Sequence, residues 1–173
     1  VWKNRGETLA SLLERFRNEK SLDDTVPLTY AGRLDPMAEG LVPVLAGADR
    51  FHKDKMLGMK KTYEVEILFG ISTDTQDSLG IIQEINFSQP KNLEEIVEKI
   101  KSIKSLPYPA YSSVPVDGKP LFQHARDGSD VEIPEKKINI FSVKLLEKRN
   151  DNLSEIVKEI IESIKKVKGD FRQ

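Results

Sequence analysis

The sequence predicts an α+β fold in one domain of 173 residues. Strand patterns and helix patterns both occur, but without the regular strand–helix–strand period of a doubly wound sheet. This favours a mixed, mostly antiparallel central sheet flanked by helices. Because the chain is 38% hydrophobic and has no low-complexity linker, we expect a single core and a single domain over residues 1–173.

Three amphipathic helices are predicted. Thr8 can cap the first, in which apolar residues recur at helical spacing from Leu9 to Phe16. The same period occurs over residues 91–103 and 152–165. Each of these segments has one apolar face, so each helix is expected to cover the core.

Strands are predicted where β-branched and aromatic residues alternate with polar ones, namely over residues 61–70, 81–87 and 137–147. The first two are separated by "STDTQDSLG", whose Asp74 and Asp77 are expected to fix a tight turn. "LVPVLAG" is a further short apolar element, and "VDG" is typical of a hairpin turn.

Composition excludes several classes of chemistry. The chain has no cysteine and two histidines, which excludes thiol catalysis and disulfides and disfavours a Cys/His zinc site. No apolar run reaches the roughly 18 residues of a membrane span, and no secretory signal is recognisable. We therefore expect a soluble, cytoplasmic protein without a membrane partner.

The formal net charge of −1 does not favour nucleic-acid binding by overall charge. Such a role would require a local basic patch. The candidates are Arg50, Lys53, Lys55, Lys60 and Lys61, for which a solvated surface is the plainer interpretation.

"TYAGRLDPMAEGLVPVL" places Asp35 between Leu34 and Pro36 on a glycine-flanked loop. A carboxylate there can simply cap its own turn. Pro36, however, has no amide hydrogen to be capped and biases Asp35 toward extended backbone. We therefore expect the carboxylate to face a different group, and apolar walls around it would require a cationic partner.

Four sequence blocks resemble those of the TruB family of RNA pseudouridine synthases. They are "VWKNRGET", "AGRLDPMAEGLVPV", "KTYEVEILFGISTDTQDSLG" and "LPYPAYSSVPVDGKPLFQHARDG", in the family's order. The resemblance implies that family's catalytic domain, with an active-site cleft beside the central sheet. No counterpart of its C-terminal PUA domain follows, and the chain stops inside the final sheet region, which is typical of a fragment.

The resemblance also implies an activity. A uridine in RNA, most characteristically the T-loop uridine of tRNA, is converted to pseudouridine when the base is detached from the ribose, turned and rejoined through C5. No cofactor and no metal are implied. Asp35 matches the essential catalytic residue, acting either as nucleophile or in a glycal route. The expected partner is RNA, first of all tRNA, and the protein is expected to be a monomer.

Further site residues are carried over from the same motifs. Tyr63 matches the tyrosine that stacks on the extruded base, although a cross-strand pair is the plainer alternative. Lys61 would share its strand face and reach a phosphate or order the site.

The cationic partner of Asp35 has two candidates. Arg172, in the terminal "KGDFRQ", corresponds to a late family arginine with a spacing one residue short, and Arg33 is the alternative. Tyr30 or Arg33 could also fill the position that the base leaves, because the family's usual histidine is absent before the motif glycine.

Two other functions stay open at this point. One is an RNA-binding or RNA-folding protein that keeps the pocket without strong catalysis. The other is a carboxylate-metal nuclease or phosphohydrolase, for which Glu39 is the nearest second acid. His124 is expected at the surface.

Overall fold

The computed structural model describes residues 1–86, 90, 92–150 and 152–167. It contains both helices and antiparallel strands, which is compatible with the predicted α+β class. The helices are α1 (Leu9–Glu19), α2 (Lys53–Leu57), α3 (Leu93–Ser102), α4 (Leu121–Asp127) and α5 (Leu153–Ile164), with a 3-10 helix over Gly47–His52. The strands are β1 (Trp2–Lys3), β2 (Leu28–Tyr30), β3 (Gly40–Leu41), β4 (Val44–Ala46), β5 (Ile71–Thr73), β6 (Ile82–Ile85), β7 (Ser105–Pro107), β8 (Pro115–Val116), β9 (Lys119–Pro120) and β10 (Glu135–Lys137).

The chain divides into two compact units. The first comprises Val1–Glu66 and the described part of the segment that begins at Asp151, and the second comprises Ile67–Asn150. A single domain over the whole chain stays a prediction.

The three predicted helices are confirmed as α1, α3 and α5, and each begins at a polar cap. Thr8 Oγ1 accepts a hydrogen bond from the Ser11 amide at 3.1 Å. Asn92 and Asn152 cap α3 and α5 in the same way. These caps satisfy amide groups that the first helical turn leaves without partners.

In the first unit, two antiparallel pairs flank the loop that carries Asp35. β1 pairs with β3, and β2 pairs with β4. The predicted apolar element over residues 41–47 is divided between β3 and β4 because Pro43 has no amide hydrogen to donate to a ladder. Leu12, Ala31 and Val42 are buried and form the core of this unit.

In the second unit, β5 and β6 form the predicted hairpin. Asp74 Oδ1 accepts the Ile81 amide at 2.7 Å, and Asp77 Oδ1 accepts the Leu79 amide at 2.9 Å. β7 pairs with β10, and β8 pairs with β9 across the "VDG" turn, whose Asp117 and Gly118 have positive φ. The predicted turn roles of both aspartates are confirmed.

Two predicted strands are wrong. Residues 60–68 and 138–150 have no regular structure, and Val65 and Ile67 are exposed. Alternation predicts a strand only if a neighbouring strand accepts its backbone hydrogen bonds, and none does so here among the described residues. Every sheet that the described residues form has two strands, so the single central sheet stays a prediction. None of the described helices is long and apolar enough to cross a membrane.

Candidate active site

The loop that carries Asp35 is a tight turn held at both ends by backbone hydrogen bonds. The Ala38 amide donates to the Asp35 carbonyl at 3.0 Å, and the Gly6 amide donates to the Pro36 carbonyl at 2.8 Å. Gly32, at the start of the loop, has a φ of +89°, which disfavours any residue with a Cβ. The backbone of Asp35 is therefore placed by local geometry.

Lys3 is the residue that attaches this turn to the N-terminal strand. Its side chain is buried, with only 1% of the residue exposed. The ammonium donates to three carbonyl oxygens, those of Asn4 at 3.2 Å, Asp35 at 3.1 Å and Ala38 at 2.8 Å. Since an ammonium has three hydrogens, its donors are fully used, and both ends of the 35–38 turn are held by one charge.

Burial lowers the pKa of the Lys3 ammonium, because removal from water disfavours its charged form. The nearby carboxylates of Glu7, Asp35 and Glu39 oppose this effect and raise the pKa. Lys3 is thus a cation close enough to attract the Asp35 carboxylate, and its ammonium binds the backbone of the turn.

A second set of contacts fixes the strand from which Lys3 projects. Arg15 donates from Nε to Glu7 Oε1 at 2.9 Å and from Nη2 to the Trp2 carbonyl at 2.6 Å. Glu7 Oε2 also accepts the Asn4 amide at 2.9 Å. The hydrogen bond from Arg15 is the largest influence that lowers the pKa of Glu7. The ion pair is partly buried, and the hydrogen bond from Arg15 to the Trp2 carbonyl joins α1 to β1.

The Asp35 carboxylate itself is exposed. Of the apolar residues near Asp35 in sequence, Val42 is buried, Leu34 and Val44 are half-buried, and Leu41 is 76% exposed.

Tyr63 and Lys61 do not share a strand face, because no strand forms there. Tyr63 is 67% exposed. Lys61 donates to the carbonyls of Leu57 at 2.7 Å and Met59 at 2.8 Å, so it covers the C-terminal end of α2. The Lys61 ammonium is therefore not positioned for the predicted contact with a phosphate.

The remaining predicted residues lie as follows. Tyr30 is half-buried at the end of β2, with the Lys53 ammonium 5.7 Å from the centre of its ring. Arg33 is exposed on the Asp35 loop, and its pairing with Asp35 stays a prediction. Arg172 lies outside the described residues. Glu39 forms an ion pair with Arg5 at 3.7 Å.

Lys3 is the site residue that sequence reasoning missed. No local pattern identifies Lys3. In a short strand it points opposite to Trp2, but the sequence does not show which of the two faces is buried. Lysine is seldom buried, so the pattern alone favours the opposite assignment. His124 was also expected at the surface, but it is buried, with Nε2 3.0 Å from the Val116 carbonyl.

These features define a protein that presents one accessible carboxylate on a backbone-anchored turn, an arrangement suited to nucleophilic or acid–base chemistry. The family described as TruB family pseudouridylate synthase (N terminal domain) matches residues 22–166. The chain belongs to this family.

Curated relatives agree with that assignment. The tRNA pseudouridine synthase B of Staphylococcus saprophyticus is 32% identical over 148 residues, which cover 83% of this chain and 48% of the relative. That of Oceanobacillus iheyensis is 35% identical over 150 residues, 84% of this chain and 48% of the relative. That of Caldicellulosiruptor saccharolyticus is 36% identical over 119 residues, 68% of this chain and 42% of the relative. The chain thus spans about half the length of the curated relatives it matches.

Proposed function

We propose that this chain carries the catalytic part of a tRNA pseudouridine synthase that isomerises an extruded uridine, with the T-loop uridine as its target. The names of the relatives support the reaction class. The observation that carries the assignment to a site is the buried Lys3 ammonium, which holds the turn that presents Asp35. A buried charge is costly, so its use on one turn favours a functional demand on that turn.

The reaction places a definite requirement on Asp35. The bond between N1 of the base and C1′ of the ribose breaks, and a bond between C5 and C1′ forms. C5 then loses its proton and N1 gains one, so no oxidation or reduction occurs. An ionised carboxylate near C1′ serves either as nucleophile at the sugar or as the group that assists a glycal route.

The exposure of Asp35 is compatible with this role because the substrate is large. A uridine that leaves its stack brings its own base and ribose over the carboxylate and displaces water from it. Tyr63, itself exposed, supplies an aromatic face for the extruded base. We propose that bound RNA completes the enclosure that the described residues leave open.

Arg33 and Tyr30 have secondary roles in this proposal. Arg33 lies two residues before Asp35, where it can occupy the position that the base leaves or pair with the carboxylate. Tyr30 ends the strand before the loop and serves as a support for that position. Arg172 is retained as the alternative cationic partner of Asp35.

The test is to incubate the full chain with an unmodified tRNA transcript in the absence of added metal and to map pseudouridine by chemical labelling and primer extension. Asp35→Asn keeps the shape of the side chain but removes its charge, and should abolish product while the protein unfolds at the same temperature. The matched control is Glu39→Gln, which removes a neighbouring charge from the same loop and should retain product.

Three outcomes would contradict the proposal. RNA binding without product would identify an RNA-binding or RNA-folding protein. Product formed equally well by Asp35→Asn would assign the chemistry to another residue. RNA cleavage that requires added metal would favour a carboxylate-metal hydrolase.

A further inference from the structure

A small cavity lies beside α4 in the second unit. Its volume is about 140 Å³, and its apolar lining consists of Ala110, Leu121, Ala125, Val131 and Ile133. A cavity of about 150 Å³ can hold a group the size of benzene, whereas pockets for cofactors and other large ligands measure about 300 Å³ or more. The cavity therefore fits a short apolar group and excludes a whole nucleotide.

The C-terminal end of α4 shapes this cavity. The helix ends at Gly128, which caps it in the left-handed conformation. The Ser129 amide then donates to the His124 carbonyl at 3.0 Å, so the chain turns back on the helix. Ser129, Asp130 and Val131 consequently join the lining of the cavity. One part of the wall is thus the helix, and another is its capping turn.

His124 supplies a hydrogen-bond acceptor in the lining. The residue is 7% exposed, and its Nε2 lies 3.0 Å from the Val116 carbonyl oxygen. Because a carbonyl oxygen can only accept, Nε2 carries the hydrogen, and Nδ1 of the neutral ring is an acceptor. Nδ1 has no hydrogen-bond partner among the residues that the structure describes. It therefore can accept a hydrogen bond from a bound molecule.

The surroundings of the cavity are acidic. Residues 121–133 contain one positive and three negative side chains, which give a formal charge of −2. Asp127 is paired with Lys119 at 3.7 Å. Asp130, which is exposed and lines the cavity, forms no ion pair with any residue in the described part of the chain. Its carboxylate therefore favours a cation that arrives from solution.

We propose that this cavity binds a primary alkylammonium group, with an unbranched carbon stem against the apolar walls and the ammonium toward Asp130 and His124. An ammonium donates three hydrogens and accepts none, which matches a carboxylate, an imidazole acceptor and the Ser129 hydroxyl. The acidic surroundings disfavour a phosphate, so the site is separate from any RNA contact. The inference does not depend on the proposed function.

The test titrates the full chain with n-butylamine at about pH 8, where an alkylamine carries its proton. The imidazole resonances of the two histidines are followed by NMR, with the exposed His52 of the other unit as the internal reference. We expect a saturable shift at His124 and none at His52. Two matched compounds, n-butanol without the charge and methylamine without the stem, should each bind at least about tenfold more weakly.

Variants locate the binding to the cavity. Asp130→Asn should weaken the binding of n-butylamine by about three- to fivefold, the effect of one exposed charge pair. Asp127→Asn is the matched control, because Asp127 is a neighbouring acid outside the lining, and its affinity should equal that of the wild type. Ala125→Leu fills the cavity and should abolish binding. If Ala125→Leu does not fold, Asp130→Lys at the exposed rim should abolish binding instead.

Two further ligands distinguish the sources of such a group. Tighter binding of 1,4-diaminobutane than of Nα-acetyl-lysine amide would support the proposal and identify a free diamine, and the reverse order would support it and identify a lysine side chain. The proposal would be overturned by equal shifts at His52 and His124, by n-butanol binding as tightly as n-butylamine, or by wild-type affinity in folded Ala125→Leu.

Discussion

Two regions of the first unit differ sharply in how they are held. The Asp35 turn is joined to the N-terminal strand by Lys3, by the Gly6 amide and by the β1–β3 pair. The segment over residues 60–66, which carries Tyr63, has no regular structure and exposes Tyr63 and Val65. Both regions match the family's motifs. The Asp35 turn is fixed by hydrogen bonds to its backbone, whereas the Tyr63 segment is joined to the end of α2 through the Lys61 side chain.

The difference indicates a division of roles. A carboxylate that reacts at one sugar carbon must be placed within a fraction of an ångström, and backbone anchoring achieves this. An aromatic ring that stacks on a base tolerates more variation, because every base has a flat face. We therefore expect substitutions that remove the anchoring contacts of the Asp35 turn to reduce stability and activity together, and substitutions at Tyr63 to reduce activity alone.

The largest effect is expected at Gly6. Its φ is +81°, and a Cβ at this position would lie 1.9 Å from the backbone carbonyl oxygen of Lys166. Gly6→Ala should lower the free energy of unfolding by about 4 kcal/mol, since the clash and the backbone conformation both penalise it. Urea denaturation measures this. Gly58→Ala is the control, because its Cβ would meet the Lys55 carbonyl oxygen at an ordinary 3.6 Å.

A smaller but more specific effect is expected at Lys3. Lys3→Met fills the same space but removes the hydrogen bonds to the Asp35 and Ala38 carbonyls, which should cost about 3 kcal/mol of stability. kcat should fall by a larger factor than KM changes, because the Asp35 carboxylate is displaced from its position. Lys20→Met, at an exposed position after α1, should be neutral by both measures. Unchanged kcat in folded Lys3→Met would contradict the anchoring role.

The ion pair of Glu7 and Arg15 should appear in the pH dependence of stability. Because the pKa of Glu7 is lowered in the folded protein, its contribution is present above the ordinary value of 4.5 and is lost as pH falls through the lower folded value. Glu7→Gln should therefore cost about 2 kcal/mol at neutral pH and less in acid. Thermal unfolding of the wild type and Glu7→Gln between pH 7 and pH 3 measures this difference in stability. A stability difference that stays constant with pH would contradict the prediction.

The smallest effect on stability is expected at Tyr63. Tyr63→Ala removes an exposed ring and should change the free energy of unfolding by less than about 0.5 kcal/mol. Activity on RNA should nevertheless fall by about tenfold or more, since stacking on a base contributes about 1–3 kcal/mol. Tyr63→Phe retains the aromatic face but lacks the hydroxyl. It therefore separates the effect of stacking on the base from the effect of any proton transfer by the hydroxyl. Wild-type activity in Tyr63→Ala would exclude the ring from the site.

The sequence predicts best what is decided locally. α1, α3 and α5 were found from their period and their caps, and the turn of Asp74 and Asp77 from its composition. These features depend on residues a few positions apart. The strands predicted over residues 61–70 and 137–147 were wrong, because a strand requires a partner that alternation does not identify.

The site residues show the same contrast between local and long-range determinants. Asp35 was singled out because Pro36 and the flanking glycines restrict its own backbone, and its catalytic role is implied by the resemblance to the family's motif. Lys3 was missed because its role depends on carbonyl groups more than thirty positions away, at Asp35 and Ala38. Burial of a lysine follows from such long-range contacts, and no local pattern reports them.

The central claim is that Asp35, held by its anchored turn, acts at the ribose of an extruded uridine. The most direct measurement uses a tRNA transcript labelled with tritium at C5 of uridine, since C5 loses its hydrogen when it bonds to C1′. We predict tritium release by the wild-type chain, none by Asp35→Asn, and release by Glu39→Gln close to that of the wild type. Tritium release by Asp35→Asn at the wild-type rate would contradict the account.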